Sequence, residues 1–141
     1  MQMPDVNVLV NAHRESAEDH ERHAAWLEEL VVGPAPFAMS ELVLHGFLRV
    51  VTHPRIFPEP TPLADAMAFV VEIVGRPGCK LVRPGPEHWS IFRRLCVAGR
   101  LKGNLVGDAV HAAVAIESGC EWVTGDTDFA RFAPELRWRH L

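Results

Sequence analysis

Hydrophobic positions along this chain follow two patterns, short apolar runs and longer stretches with a helical repeat. In the longer stretches, apolar residues recur three or four positions apart with charged residues between them, as in amphipathic helices. The pattern predicts helices over residues 20–32, 63–74 and 87–98, shorter ones after Asn7 and Ser40, and a nearly uniformly apolar, buried helix over residues 106–116. His23 is expected on the solvated face of its helix, and Trp89 on the inward face of its own.

The short apolar runs predict β-strands of only a few residues. They precede Asp5 and cover Phe37–Met39, Leu81–Val82, Glu121–Thr124 and, as an edge strand, residues 136–141. Strands that alternate with helices form parallel sheets covered on both faces. We therefore expect an α/β fold, with a short-stranded, mainly parallel central sheet in an α/β/α sandwich. The proline-rich residues 52–62 are expected to form a loop.

Length and composition suit one domain, residues 1–141, because 141 residues with 48% hydrophobic content can bury a substantial core. The net charge of −4 argues against nucleic-acid binding driven by overall charge. The charge is uneven, with −6 over residues 1–48, +5 over residues 49–102 and −3 over residues 103–141. A basic middle is compatible with a phosphate-attracting surface beside a carboxylate cluster, and equally with a solvated face of mixed charge.

The cysteines and the hydropathy limit where the protein acts. Cys79, Cys96 and Cys120 are odd in number and far apart, and no Cys-x-x-Cys pair occurs. This spacing indicates reduced thiols rather than a disulfide framework or a zinc site. No segment approaches the ~20 consecutive apolar residues that a membrane span needs. We therefore expect a cytoplasmic protein with no membrane segment.

Five acidic side chains stand out by their position, since they follow a predicted strand, open a predicted helix or lie just beyond. They are Asp5, Glu41, Asp108, Asp126 and Asp128. Asp108 is expected in the first turn of its helix, and each acid alone is explained by helix capping or the helix dipole. Together they should converge, because the carboxyl ends of parallel strands lie along one sheet edge. Converging carboxylates either repel one another or bind a cation such as Mg²⁺ or Mn²⁺.

The order and spacing of these acids resemble PIN-domain ribonucleases. The phrases that carry the resemblance are Asp5-Val-Asn-Val-Leu-Val, Ser40-Glu41, Gly107-Asp108-Ala and Val123-Thr-Gly-Asp-Thr-Asp-Phe129. Two longer phrases, Arg49-Val-Val-Thr-His-Pro-Arg-Ile-Phe57 and Gly103-Asn-Leu-Val-Gly-Asp108, are similar to VapC-type toxins of bacterial toxin–antitoxin pairs, particularly the actinobacterial branch. The resemblance covers essentially the whole chain. One departure is His111, which follows Ala109 by two positions where these relatives commonly have His directly after Ala.

The resemblance implies a single PIN-like domain that acts as a metal-dependent endoribonuclease. The residues it assigns to catalysis and to the metal are Asp5, Glu41, Asp108 and Asp126, with Asp128 as an outer or second-metal ligand. The ion, Mg²⁺ or Mn²⁺, would activate water and neutralise charge on the phosphodiester. Hydrolysis of RNA should then leave a 5′-phosphate and a 3′-hydroxyl. Asn7 and Thr124 are expected to orient the carboxylates.

The resemblance also implies partners. These are an RNA substrate, a cognate VapB-type antitoxin and a second copy of the chain in a homodimer. The antitoxin is expected to dock on the apolar helices around Trp26 and Phe47. The basic residues expected to contact the RNA backbone are Arg93, Arg94, Arg100 and Lys102.

Two alternative functions remain open from the sequence. A haloacid-dehalogenase-like phosphatase also uses an early strand-end Asp with Mg²⁺, but it needs a second acid two residues later, where this chain has Asn7. A non-catalytic interaction module could keep the fold without the chemistry, although all five acids are present. Serine hydrolases and nucleotide-binding enzymes are disfavoured, because Gly-x-Ser-x-Gly and the glycine-rich phosphate loops do not occur.

Overall fold

Five strands of three or four residues alternate with helices in the computed structural model, which describes residues 1–141. The strands are β1 (Gln2–Pro4), β2 (Phe37–Ser40), β3 (Cys79–Val82), β4 (Glu121–Thr124) and β5 (Trp138–His140). The helices are α1 (Val6–His13), α2 (His20–Val32), α3 (Glu41–Val51), α4 (Leu63–Val74), α5 (His88–Gly99) and α6 (Asn104–Glu117), and a 3₁₀ helix spans Thr127–Phe132. None of the helices combines the length and the apolar character needed to cross a bilayer.

All strand pairs are parallel, as the alternation of strands and helices predicts. β1, β4 and β5 form a three-stranded sheet with β4 in the middle, and β2 and β3 form a two-stranded sheet. β2 also packs beside β1. In the two sheets Pro4 is in register with Val123, and Ser40 with Val82. The next residue along each strand therefore lies at a carboxyl end, which is where the candidate acids begin.

The starts of α1 and α3 are fixed by side-chain caps. Asp5 has extended backbone and accepts a hydrogen bond from the N–H of Val6 at 2.6 Å, so Asp5, rather than Asn7, caps α1. Ser40 caps α3 as expected, accepting from the N–H of Leu42 at 3.2 Å. The caps hold the first residues of both helices at the sheet edge.

The helix α6 is longer at its start than its apolar pattern indicates. It begins at Asn104 after Gly103, whose positive φ of 56° ends the preceding loop. Asp108 is therefore its fifth residue and lies in the second turn, which corrects the prediction of the first turn. At the other end Gly119 adopts a positive φ of 65°, and the N–H of Cys120 bonds to the carbonyl of Ala115 at 2.9 Å. This is the glycine stop that the sequence predicts.

The hydrophobic core lies between the sheet and the helices that cover it. Its largest fully buried side chains include Met3, Leu9, Phe37, Met39, Phe47, Trp122 and Phe129. Each buried aromatic or branched side chain contributes roughly 1.5–3 kcal/mol relative to exposure. α6 contributes small residues to this core, with Ala109, Ala112, Ala113 and Ala115 buried. Their small size lets α6 pack closely on the sheet that carries the candidate site.

Two side chains lie on the opposite side from the predicted one. His23 is buried rather than solvated, because its Nδ1 bonds to the carbonyl of Asp19 at 2.8 Å and its ring lies near Gly125. Trp89 is 68% exposed rather than inward, and Ile91 and Leu95 form the buried face of α5. Apolar periodicity alone could not separate these faces. Trp89 and Phe92 lie three positions apart and Ile91 and Leu95 four, and both spacings fit one face of a helix.

Candidate active site at the sheet edge

Asp5 lies at the junction of β1 and α1 with its carboxylate buried. Oδ1 accepts from the N–H of Val6 at 2.6 Å, and Oδ2 accepts from Thr124 Oγ1 at 2.6 Å and from Asn7 Nδ2 at 2.8 Å. The residue is only 6% exposed. Three donors on one buried carboxylate fix its orientation at the sheet edge.

Thr124 joins the carboxyl ends of β1 and β4. Besides donating to Asp5, its Oγ1 accepts from Asn7 Nδ2 at 3.1 Å and from the N–H of Asp126 at 3.0 Å. Asn7 Oδ1 in turn accepts from the N–H of Gly125 at 3.0 Å. Asn7 and Thr124 thus contact the carboxylate of Asp5 and the loop that carries Asp126. Such contacts are what residues that orient carboxylates would make.

The loop after β4 presents two aspartates of different character. Asp126 caps the 3₁₀ helix, and its Oδ1 accepts from the N–H of Asp128 at 2.8 Å. The side chain of Asp128 is 59% exposed, and its Oδ1 lies 3.5 Å from Arg131 Nη2. Asp126 is therefore oriented by the backbone of its own loop, whereas Asp128 projects into solvent beside the guanidinium of Arg131.

Asp108 faces the same group from α6. Partial burial raises the pKa of its carboxyl above the usual value, and the negative charges of Asp126 and Asp128 raise it further. Arg131 acts in the opposite direction. The carboxylate of Asp108 is therefore close enough to the loop acids to feel their charge.

Burial, more than repulsion, determines the pKa of Asp5. Burial raises its pKa from 3.8 to about 6, against the lowering effect of the hydrogen bonds from Thr124 and Val6, and Asp108 and Asp126 add to the increase. The charges of Asp108 and Asp126 thus act on Asp5, and those of Asp126 and Asp128 act on Asp108, so the four predicted aspartates influence one another in overlapping sets at the sheet edge.

The chemistry of this donor set fits a divalent cation. The group is made of carboxylate oxygens, which Mg²⁺ and Mn²⁺ prefer, and a double positive charge would offset both the burial and the repulsion that raise the pKa of Asp5 and Asp108. In the structure, no three His, Cys, Asp or Glu side chains are grouped closely enough to hold an ion. The assignment of these residues as metal ligands therefore stays a prediction.

Glu41 is the predicted site residue that the structure holds apart. It is the first residue of α3, and its Oε1 lies 2.6 Å from Arg83 Nη2. The hydrogen bond and the charge of Arg83 hold the pKa of Glu41 below its usual value, and none of the four aspartates is among the charges that raise it. The carboxylate of Glu41 is thus paired with a guanidinium and lies apart from the aspartates around Asp5.

Arg83 is a site residue that the sequence reasoning missed. It directly follows β3, as Glu41 directly follows β2, and the two strands are paired in parallel. Searching strand ends for basic as well as acidic residues would have found it. Among the basic residues expected on RNA, Arg94 is ion-paired with Glu135.

His111 lies one turn after Asp108 on α6 and packs into the core. Its ring stacks on Trp122 with a centroid distance of 5.7 Å, and its Nδ1 is buried with no hydrogen-bond partner. Burial, with a smaller contribution from the charge of His88, lowers its pKa from 6.5 to about 4. His111 is therefore neutral near pH 7 and supports the sheet beneath Asp108 by packing.

Comparison with known proteins places these features in a family context. Residues 3–134 match the model of the PIN domain family. The chain is 43% identical over 136 residues to "Ribonuclease VapC43" of Mycobacterium tuberculosis, which covers 96% of this chain and 92% of that protein. It is 43% identical over 129 residues to "Ribonuclease VapC25" of the same species, with 92% and 91% covered.

The fold is also similar to a solved structure. The VapBC2 complex of Rickettsia felis, bound to a DNA fragment from its promoter, contains a chain that matches with a TM-score of 0.72 at 17% identity. The match covers 99% of this chain and 98% of that one. The likeness therefore extends over the whole fold, including the strand ends that carry the candidate site.

Proposed function

This chain belongs to the PIN domain family and, within it, to the VapC ribonucleases, and we propose that it is an endoribonuclease and the toxin of a toxin–antitoxin pair. The observation that supports the chemistry is the set of aspartates at the sheet edge, where, beside burial, the charges of Asp108 and Asp126 raise the pKa of Asp5 and those of Asp126 and Asp128 raise the pKa of Asp108. A cluster of this kind is unfavourable in a purely structural role and suits a cation-dependent reaction. The proposed substrate is an RNA phosphodiester, and the cytoplasm is where the protein would meet it.

The proposed metal ligands are Asp5, Asp108, Asp126 and Glu41, with Asp128 at the outer side of the site. When bound, Mg²⁺ or Mn²⁺ would lower the pKa of a water molecule and offset the negative charge that builds on the phosphodiester. Hydrolysis would leave a 5′-phosphate and a 3′-hydroxyl.

Neighbouring side chains hold the proposed ligands in position. Thr124 and Asn7 fix Asp5 through Oδ2, and Thr124 also holds the N–H of Asp126. Because Oδ1 of Asp5 is bonded only to the N–H of Val6, it retains a lone pair for a ligand. These contacts would keep two of the ligands at fixed orientations before the substrate arrives.

The decisive test is cleavage of a structured RNA by purified protein with Mg²⁺ or Mn²⁺. The variants are Asp108→Asn and, as a matched control, Asp65→Asn, which changes an aspartate in the first turn of α4. We expect cleavage by the wild type and the control, and loss of cleavage in Asp108→Asn and in chelator. The metal-nuclease proposal fails if cleavage persists in chelator or is unaffected by Asp108→Asn.

A phosphatase of the haloacid-dehalogenase type finds no support at the corresponding position. Such an enzyme needs a second acid two residues after Asp5, and this chain has Asn7 there. Both ends of the Asn7 amide are occupied, one by Asp5 and Thr124 and the other by Gly125. Asn7 is therefore a positioning residue in this site, with no titratable proton to transfer to a leaving group.

We further propose that a VapB-type antitoxin docks in the apolar groove between α3 and α4. The groove has a volume of about 550 Å³ and is lined by Leu44, Leu48, Met67, Val71 and Leu81 among others, with Glu41 at its rim. Met67, Val71 and Leu81 are exposed there, whereas Phe47 is fully buried and cannot be a contact. A Val71→Glu substitution should abolish rescue of growth by the co-expressed antitoxin while leaving RNA cleavage intact.

The homodimer is also a proposal, supported by α5. Trp89 and Val97 are large apolar side chains on this helix with 68% and 72% exposure. Exposed apolar residues of this size are typical of contact surfaces. Light scattering on the wild type and on Val97→Glu tests it, and a wild type that stays monomeric at all concentrations would contradict it.

A further inference from the structure

Arg83 and Glu41 meet where β2 and β3 end. Ser40 and Val82 are the last paired residues of these strands, so Glu41 and Arg83 are the next residues on each. Glu41 Oε1 lies 2.6 Å from Arg83 Nη2. The pair thus lies at the carboxyl edge of the sheet, at the ends of β2 and β3. β2 also packs beside β1, the strand that Asp5 follows.

The two partners differ in how accessible they are. The side chain of Arg83 is 70% exposed, whereas that of Glu41 is 29% exposed. An exposed guanidinium can turn away from its partner at small cost, because solvent replaces much of the lost interaction. Glu41, by contrast, is the first residue of α3, so its carboxylate can pair only with a cation that comes close to that position.

The pairing has a consequence for both groups. A carboxylate bonded to a guanidinium must give up that bond before it can serve fully as a metal ligand. A guanidinium bonded to a carboxylate likewise has fewer N–H groups and less net charge to offer a phosphate, for which its planar geometry is well suited. The same contact therefore restrains one group that would bind a cation and another that would bind an anion.

We propose that Glu41 and Arg83 exchange partners when the site is loaded, Glu41 turning to the divalent ion and Arg83 binding a phosphodiester of the RNA. The proposal rests on the proposed ribonuclease function and adds to it an RNA-binding residue and a coupling between ion and RNA. The anion that must come to this edge is the RNA backbone, which is why a phosphodiester rather than an acidic peptide is the assigned ligand. Binding of the ion releases Arg83, and binding of RNA to Arg83 releases Glu41. By linkage, each ligand then strengthens the other by the same factor.

The experiment compares the wild type with Arg83→Gln and with Arg76→Gln as a matched control. Arg76, two residues beyond the end of α4, also forms a 2.6 Å ion pair with a glutamate, Glu72 of that helix, and neither is a candidate site residue. Mn²⁺ affinity is measured by calorimetry without RNA. Affinity for a phosphorothioate RNA, which resists hydrolysis, is measured by fluorescence anisotropy with and without Mn²⁺.

Without RNA, Arg83→Gln should bind Mn²⁺ about fivefold more tightly than the wild type, because nothing competes for Glu41. Without Mn²⁺, Arg83→Gln should bind RNA only about threefold more weakly than the wild type, because Glu41 competes with RNA for Arg83. With Mn²⁺, Arg83→Gln should bind RNA about tenfold more weakly, and the dependence on salt should fall by about one phosphate contact. Arg83→Lys should recover part of that RNA affinity, and Arg76→Gln should match the wild type throughout.

Other outcomes are equally informative. Unchanged or weaker Mn²⁺ binding by Arg83→Gln overturns the exchange, as does an RNA defect of the same size with and without Mn²⁺. RNA binding that is unaffected while an acidic peptide loses affinity would assign Arg83 to a protein partner instead. If the wild type cleaves RNA with Mn²⁺ but shows none of these differences, only the exchange fails. If the wild type binds no divalent ion, the proposed function fails with it.

Discussion

Thr124 Oγ1 donates a 2.6 Å hydrogen bond to Asp5 Oδ2 across 119 positions of sequence. The hydroxyl is fully buried and also accepts from the N–H of Asp126. It therefore connects the two strands that deliver candidate ligands, and one side chain sets the relative position of Asp5 and Asp126.

Removing this hydroxyl should loosen the site without changing the volume of the core. Thr124→Val leaves Oδ2 of Asp5 with one donor fewer and the N–H of Asp126 without its acceptor, at a cost of about 1–3 kcal/mol of unfolding free energy. Urea unfolding and Mn²⁺ calorimetry measure the two effects. Thr124→Ser keeps the hydroxyl and should retain the Mn²⁺ affinity, so equal loss in both variants would contradict the role given to the hydrogen bond.

Asp5→Asn should make the ion-free protein more stable near pH 7.5. The folded protein binds the Asp5 proton more tightly than the unfolded chain does, because its pKa is about 6 rather than 3.8. Stability in the wild type therefore falls as pH rises through this window, and above it the ionised carboxylate costs about 3 kcal/mol. Asparagine removes that cost but places its own N–H group against the N–H of Val6, which costs about 1–3 kcal/mol, so the net gain should be about 1 kcal/mol.

The measurement is urea unfolding of wild type and Asp5→Asn in chelator at several pH values. The advantage of the variant should shrink as pH falls from 6 towards 3.8, below which Asp5 is protonated in both states. Adding Mn²⁺ at pH 7.5 should reverse the order, since only the wild type gains a bound ion. An Asp5→Asn protein less stable than the wild type in chelator at pH 7.5 would show that Asp5 is not destabilising.

The fold was largely predictable from sequence because its elements carry strong local signals. α2 and α4 begin and end at the predicted residues, since clear apolar periodicity is closed by Gly33 and Gly75. The parallel sheet followed from the alternation of strands and helices. What local pattern could not supply was the burial of individual side chains, because His23 is buried by a loop that comes a hundred residues later.

The candidate site was predictable in part for the same reason. Asp5, Glu41 and Asp126 are adjacent to strand ends that the sequence already indicates, so parallel topology alone brings them to one edge. The pairing of Glu41 with Arg83 depends on the register of β2 and β3, which no local signal gives. Electrostatic partners across a sheet edge therefore need the structure, even when each residue type is conspicuous in the sequence.

His111 should make the protein sensitive to acid. Its pKa of about 4 in the folded state lies below the usual 6.5, so the unfolded chain binds this proton more tightly. The stability of the protein should therefore fall as pH drops from 6.5 towards 4, by up to about 3 kcal/mol from this residue. In His111→Phe, which keeps a ring against Trp122, urea unfolding should show this loss removed, and an unchanged acid slope would contradict the assignment.

Gly46 lets α3 approach α1 beside the site, and replacing it should separate them. A Cβ at Gly46 would lie 2.8 Å from Cγ2 of Val6, the residue after Asp5. Valine in a helix is held to one rotamer, so the helices themselves must move. Alanine gains about 1 kcal/mol in helix propensity, but the overlap should cost about 1–3 kcal/mol and leave Gly46→Ala less stable. Gly107→Ala in α6, where a Cβ meets nothing within 4 Å, is the matched control and should be more stable than the wild type.

Urea unfolding of Gly46→Ala, Gly107→Ala and the double variant Gly46→Ala with Val6→Ala tests the close approach. The double variant should recover stability relative to Gly46→Ala, because the smaller side chain at position 6 makes room for the new methyl group. If Gly46→Ala is instead stabilised as much as Gly107→Ala, the contact between α1 and α3 is not tight. Mn²⁺ calorimetry on the same variants should then show whether the separation of the two helices also weakens the ion site at Asp5.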